Sequence, residues 1–135
     1  MASQNASAAI DFDKNGGIVA AIAVDHVSRR VLMVAYMNRE AFEETVATGR
    51  TCYFSRSRQK LWRKGEESGN FQIVHEIRVD CDQDALVLEV EQRGDGAACH
   101  EGYRSCFFRS IQEGGANFKI TEPQLLPPDQ DHGKT

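Results

Sequence analysis

The sequence predicts an α+β fold: a strand-rich single domain with one helix. Several segments alternate apolar and polar residues with a period of two, only one segment carries a capped helical face, and strands do not alternate regularly with helices. A chain of 135 residues has room for one domain. Its folded and extended surfaces scale to roughly 7,000 and 22,000 Å², so about two-thirds is buried and a core forms without staples.

Ile18 to Val24 and Val31 to Tyr36 are β-prone runs joined by Asp25 to Arg30, a predicted hairpin. Asn38 then offers an N-cap, Glu40 sits in the first turn, Ala41, Phe42, Thr45 and Val46 mark one helical face, and Gly49 closes the helix. Thr51 to Ser55 reads as a short strand and Arg56 to Asn70 as a polar stretch. In Phe71 to Val79 the alternation places Phe71, Ile73, His75, Ile77 and Val79 on one face, and Ala85 to Gln92 repeats it with Leu86, Leu88 and Val90. Gly94 to Gly96 is a turn; Phe107 to Ile111 and Phe118 to Ile120 are further strands. The expected organisation is an N-terminal extension over 1–16, a domain over 17–121 and a polar, Pro-containing tail over 122–135.

The longest apolar run, Ile18 to Val24, falls far short of the ~20 residues of a membrane span. Met1 to Ala9 has no basic residue ahead of an apolar stretch, which argues against a secretory or transit peptide and for a cytoplasmic location. A formal charge of −4 argues against non-specific nucleic-acid binding, which needs an excess of cations. In a reducing compartment the four cysteines stay as thiols, so their spacing points to metal or catalytic chemistry before disulfides.

Cys52 lies in an apolar strand and reads as a small buried hydrophobe. Cys81, Cys99 and Cys106 sit in polar, turn-rich sequence, eighteen and seven residues apart, which is not the paired spacing of a zinc ribbon. Three thiolates with a vacancy suit a catalytic zinc. Asp80, Asp82 and Asp84 recur at every second position; continuing the preceding strand, they share one face and Cys81 takes the other, so a hard cation and a soft one are served separately. A solvated acidic turn is the plainer alternative. A calcium loop of EF-hand type is disfavoured because Ala85 stands where glycine is needed.

Arg56, Arg58, Lys60, Arg63 and Lys64 put five cations into nine residues ahead of Gly65, Ser68 and Gly69. Such a segment is either a phosphate-binding loop, with Arg forks, a hydroxyl and close-approaching glycine backbone, or an ordinary charged loop. Trp62 within it either stacks on a base or covers the core. His100 beside Cys99 is the candidate proton carrier. His75 reads as a core or pocket-wall residue, and His26 and His132 carry no signal.

Five ordered motifs, Leu32 to Asn38, Tyr53 to Arg58, Leu61 to Gly69, Asp80 to Asp84 and Cys99 to Phe107, resemble the phosphoribosyl-AMP cyclohydrolase family of histidine biosynthesis from about Gly17 to Arg109. The length matches the monofunctional form, without an appended phosphoribosyl-ATP pyrophosphohydrolase. The resemblance implies an intertwined homodimer that hydrolyses the N1–C6 bond of the adenine ring with Zn2+ and Mg2+. It makes Cys81, Cys99 and Cys106 zinc ligands, Cys81 coming from one subunit and the other two from its partner, and Asp80, Asp82 and Asp84 magnesium ligands. Arg56, Arg58, Trp62, Lys64, Gly65, Ser68 and Gly69 are then the candidates for holding the substrate and its two phosphates.

Zinc on three thiolates keeps a formal charge of −1 and acidifies water less than zinc on three histidines. A base is therefore required, and His100 is the expected one. A zinc nucleobase deaminase is the nearest enzymatic alternative, but its His-x-Glu and Pro-Cys-x-x-Cys are absent. A structural zinc or calcium module is the non-enzymatic one.

Overall fold

A computed structural model describes residues 6–128. The predicted hairpin forms as β1 (Val19–Asp25) and β2 (Val31–Met37), antiparallel with Ala21 opposite Ala35. A bulge at Ala23/Val24 leaves Leu32 as an extra residue on β2, which is why adjacent Leu32 and Met33 are both buried. β5 (Gln72–Val79) and β6 (Ala85–Gln92) form a second antiparallel pair. The pairs join through a parallel contact, Ala20 beside Ala85 and Val24 beside Glu89, giving a four-stranded sheet in the order β2-β1-β6-β5. Its core face carries Val19, Ala21, Ala23, Leu86, Leu88 and Val90.

Helix α2 (Arg39–Thr48) packs beside β2 and β3 (Cys52–Ser55). Asn38 accepts from the Ala41 amide at 2.8 Å, and Gly49, at φ 76°, takes the left-handed conformation that ends the helix. Ala41, Phe42 and Thr45 are buried as expected, whereas Val46 is 59% exposed. It borders an apolar groove with Ile77 and Val79. No helix among the described residues is long and apolar enough to cross a membrane.

Two expectations change. Within the polar stretch, β4 (Lys60–Arg63) pairs with β3 and sets Trp62 opposite Tyr53, ring centroids 5.5 Å apart. Two charged ends hide this strand, whose middle residues Leu61 and Trp62 lean on the core. In β5 a bulge between Val74 and Glu76 shifts the alternation: Gln72 and Val74 face the core before it and Ile77 after it, while His75 is turned out to solvent.

At the N-terminus, the four-residue helix α1 (Ala6–Ala9) and the segment after it pack onto the domain. Ile10 and Phe12 are buried, the latter against Phe42. The segment after Ile120 is likewise tied down as far as the structure describes it. Glu122 pairs with Arg30 at 2.7 Å, and the Leu125 and Leu126 amides donate to the Gly102 carbonyl. His132 and the rest of 129–135 lie outside the described residues. The last strands form a hairpin, β7 (Arg109–Gln112) with β8 (Asn117–Ile120).

Candidate metal and substrate site

The loop between β6 and β7 carries Cys99, His100 and Cys106. Its shape is fixed by backbone bonds from Cys99 to Tyr103 and from Gly102 to Cys99, and it is pinned to β2 by the Cys106 amide on Leu32 O (2.7 Å) and the Ser105 hydroxyl on Val31 O (2.7 Å). Gly102 has φ 90°, and a Cβ there would lie 2.0 Å from Leu126 O, so only glycine lets the C-terminal segment cross the loop. The Lys64 ammonium donates to Ala98 O at 2.7 Å from a buried position.

These constraints bring Cys99 and Cys106 together. Cys106 holds the Cys99 thiol below its ordinary range, against the opposing effect of burial. The Glu101 amide, 3.4 Å from Cys99 Sγ, adds to the lowering. The neighbouring Cys99 in turn pushes Cys106 up. Cys52 is buried in β3 and its thiol is pushed up to about 12, first by burial and then by the Glu44 carboxylate.

Cys81 is exposed in the turn before β6, at the other end of the sheet. Cys106 is bonded to Leu32, level with Leu88 and Glu89, whereas Cys81 lies beyond Ala85. At ~3.3 Å per residue the separation along the strands is about 10 Å or more. Within one chain, Cys81 does not join the other two thiols.

Asp80, Asp82 and Asp84 do converge, each offering an oxygen within 4.8 Å of the others. They converge through a turn, not through strand alternation: Gln83 has φ 66°, and Asp80 Oδ1 accepts from the Asp84 and Ala85 amides at 2.9 and 3.1 Å. Asp84 is raised above the usual carboxylate range, chiefly by sharing a hydrogen bond with Asp82. Lys14 lies 3.5 Å from both the Asp82 and Asp84 carboxylates. Nothing in the spacing singles out this lysine, 68 residues before Asp82.

The basic segment divides. Arg56 lies over the Tyr36 ring at 4.0 Å and shares a cavity with Asp84, Ala85 and Ile18. Arg58 and Trp62 line a separate cleft of about 280 Å³ with Ser55, Lys60 and Leu61. Trp62 covers the core through Tyr53, while its Nε1 is buried with no hydrogen-bond partner among the described residues. A Cβ on Gly65 would meet the Phe71 amide nitrogen at 2.3 Å, so this glycine serves a close backbone approach. Ser68 accepts from the Asn70 amide at 3.1 Å and Gly69 donates to Gly65 O, closing the turn. His100 is half-buried beside Cys99.

Comparison with known proteins identifies the family. Residues 33–108 match the family model described as phosphoribosyl-AMP cyclohydrolase. A phosphoribosyl-AMP cyclohydrolase of Desulforapulum autotrophicum is 55% identical over 119 residues, covering 88% of this chain and 94% of that protein. The corresponding proteins of Thiobacillus denitrificans and Methanosarcina barkeri are 59% and 56% identical, covering 84% and 88% of this chain and 87% and 93% of theirs. With a matched segment that spans β2 to the Cys106 loop and relatives aligned over nearly their whole length, the chain belongs to the phosphoribosyl-AMP cyclohydrolase family.

Proposed function

We propose that the chain opens the adenine ring of phosphoribosyl-AMP at the N1–C6 bond, in histidine biosynthesis in the cytoplasm, as a zinc- and magnesium-dependent homodimer. The observation that carries the reading is the thiol pair of Cys99 and Cys106 with His100 on the same loop, inside a chain of this family.

The donor set fits zinc: two thiols lie on one loop, and a third soft ligand completes the tetrahedral site with one position free. Cys81 of a second copy is that third ligand, because Cys81 of the same chain sits at the far end of the sheet. A second copy also accounts for the apolar surface of the β7–β8 hairpin, where Ile111 and Phe118 are 69% and 68% exposed. Bound zinc supplies Lewis acidity toward a water. Three oxygens of Asp80, Asp82 and Asp84 suit magnesium, with Lys14 yielding its place.

The residues of the chain divide the remaining work. Ribosylation at N1 makes C6 electrophilic. His100 takes a proton from the water that adds there and returns it to N1 as the N1–C6 bond breaks, leaving the former exocyclic nitrogen in a carboxamide. Arg56 and Arg58 supply charge for the two phosphates, and Trp62 offers its ring to the nucleotide. Gly65, Ser68 and Gly69 shape the turn behind them, and Lys64 holds the Cys99 loop in place.

A spectrophotometric assay of the metal-replete protein with phosphoribosyl-AMP tests this reading. Turnover without release of ammonia, abolished by zinc chelation, is expected. No turnover overturns the reading, and stoichiometric ammonia reassigns the protein to deamination.

A further inference from the structure

We infer that His26, His75 and Glu91 form a separate surface site for a borderline divalent transition metal such as Zn2+, on the opposite end of β6 from the acidic turn. One nitrogen or oxygen of each lies within 4.8 Å of the others. Two imidazoles and a carboxylate select borderline ions over magnesium or calcium, which prefer oxygen alone.

Three structural elements hold the cluster. The backbone amide of His26, in the β1–β2 turn, donates to Val90 O at 2.9 Å, fixing that turn against β6. His75 is the extra residue of the β5 bulge and lies on the outer face of the sheet, next to the core-facing Val74. There it stacks on His26, ring centroids 3.9 Å apart and planes within 11°.

The carboxylate is oriented as well. Arg93 donates to Glu91 Oε2 at 2.9 Å, leaving Oε1 facing His75 Nε2 at 3.2 Å. Two ligand atoms at zinc bonding distances of ~2.0–2.1 Å and a tetrahedral angle lie roughly 3.3 Å apart, so this edge of the polyhedron is nearly formed. Arg93 thus orients a ligand through its other oxygen without occupying the ligating one. Binding requires the stacked rings to splay so that a nitrogen of each reaches one ion. His75 and Glu91 have side chains 43% and 37% exposed, so water reaches the cluster and completes the remaining positions.

Equilibrium dialysis of the full chain against micromolar Zn2+, with metal and protein quantified, tests the site without recourse to activity. The wild type is expected to hold one zinc per chain more than His26→Gln and one more than His75→Gln, with both variants retaining their cysteine-bound zinc. Equal zinc in the wild type and either folded variant overturns the site. Should His26→Gln fail to fold, His75→Gln, altered at the surface, decides. An independent measurement needs no variant: Zn2+ added to the wild type must shift the ring resonances of both His26 and His75, and an unmoved ring in either overturns the site.

Discussion

The Lys64 ammonium reaches Ala98 O at 2.7 Å and so couples the basic segment after β4 to the residue before Cys99. Lys64→Met keeps the aliphatic stem and deletes the donor, leaving a buried carbonyl without this bond. A loss of about 1–3 kcal/mol is expected, the cost of an unsatisfied buried polar group. Thermal melting reads that loss, and the rate at which a chelator strips zinc should rise with it. Unchanged melting and zinc retention would show that the contact does not hold the loop.

For His100→Ala, turnover is expected to fall roughly 10²-fold or more, the usual size of an acid–base contribution, while zinc content stays normal. Near-wild-type rates across the pH range would remove His100 from proton transfer.

The cysteines separate by environment. Cys52, whose thiol is pushed up to about 12, stays protonated at neutral pH, whereas Cys81 is exposed. In the native metal-free protein, a thiol reagent is expected to label Cys81 quickly and Cys52 only on unfolding. Cys52→Ser keeps zinc and activity; Cys99→Ser and Cys106→Ser lose both. A zinc-free Cys52→Ser protein would contradict the assignment.

Glu89 is nearly buried on β6 between two guanidiniums, Arg78 at 2.8 Å and Arg29 at 2.5 Å. The hydrogen bond from Arg78, foremost, holds its carboxyl below the ordinary value of 4.5. A depressed carboxyl stabilises the fold above its unfolded pKa, and that contribution is lost as pH falls through the folded value. Glu89→Gln is therefore expected to lower the melting temperature at pH 7, with the difference from wild type narrowing below about pH 4.5. A difference independent of pH would show that charge is not the cause.

Most of the sheet was legible because β1, β2 and β6 carry their burial in period two, and α2 because Asn38 and Gly49 cap it. β4 was hidden by its charged ends. The parallel contact of β1 with β6 joins segments some 65 residues apart, which no local pattern reports. The β5 bulge at His75 broke an otherwise regular alternation, since one extra residue exchanges the faces on either side of it. In the site, thiols and carboxylates announced themselves by residue type and polar surroundings. The place of Lys14 on the acidic turn and the opposite placement of Cys81 and Cys106 depend on topology alone.

That opposite placement leads to the most direct test of a zinc site built from two chains. A Cys81→Ser chain and a Cys99→Ser chain, each inactive alone, are unfolded together and reassembled. In a twofold dimer of one of each, both lesions fall in one site and the other receives three intact thiols. Random assembly makes half the dimers mixed, so about a quarter of wild-type activity is expected to return, with zinc restored in proportion. No recovery of activity or zinc, with mixed dimers verified by native mass spectrometry, would contradict the shared site.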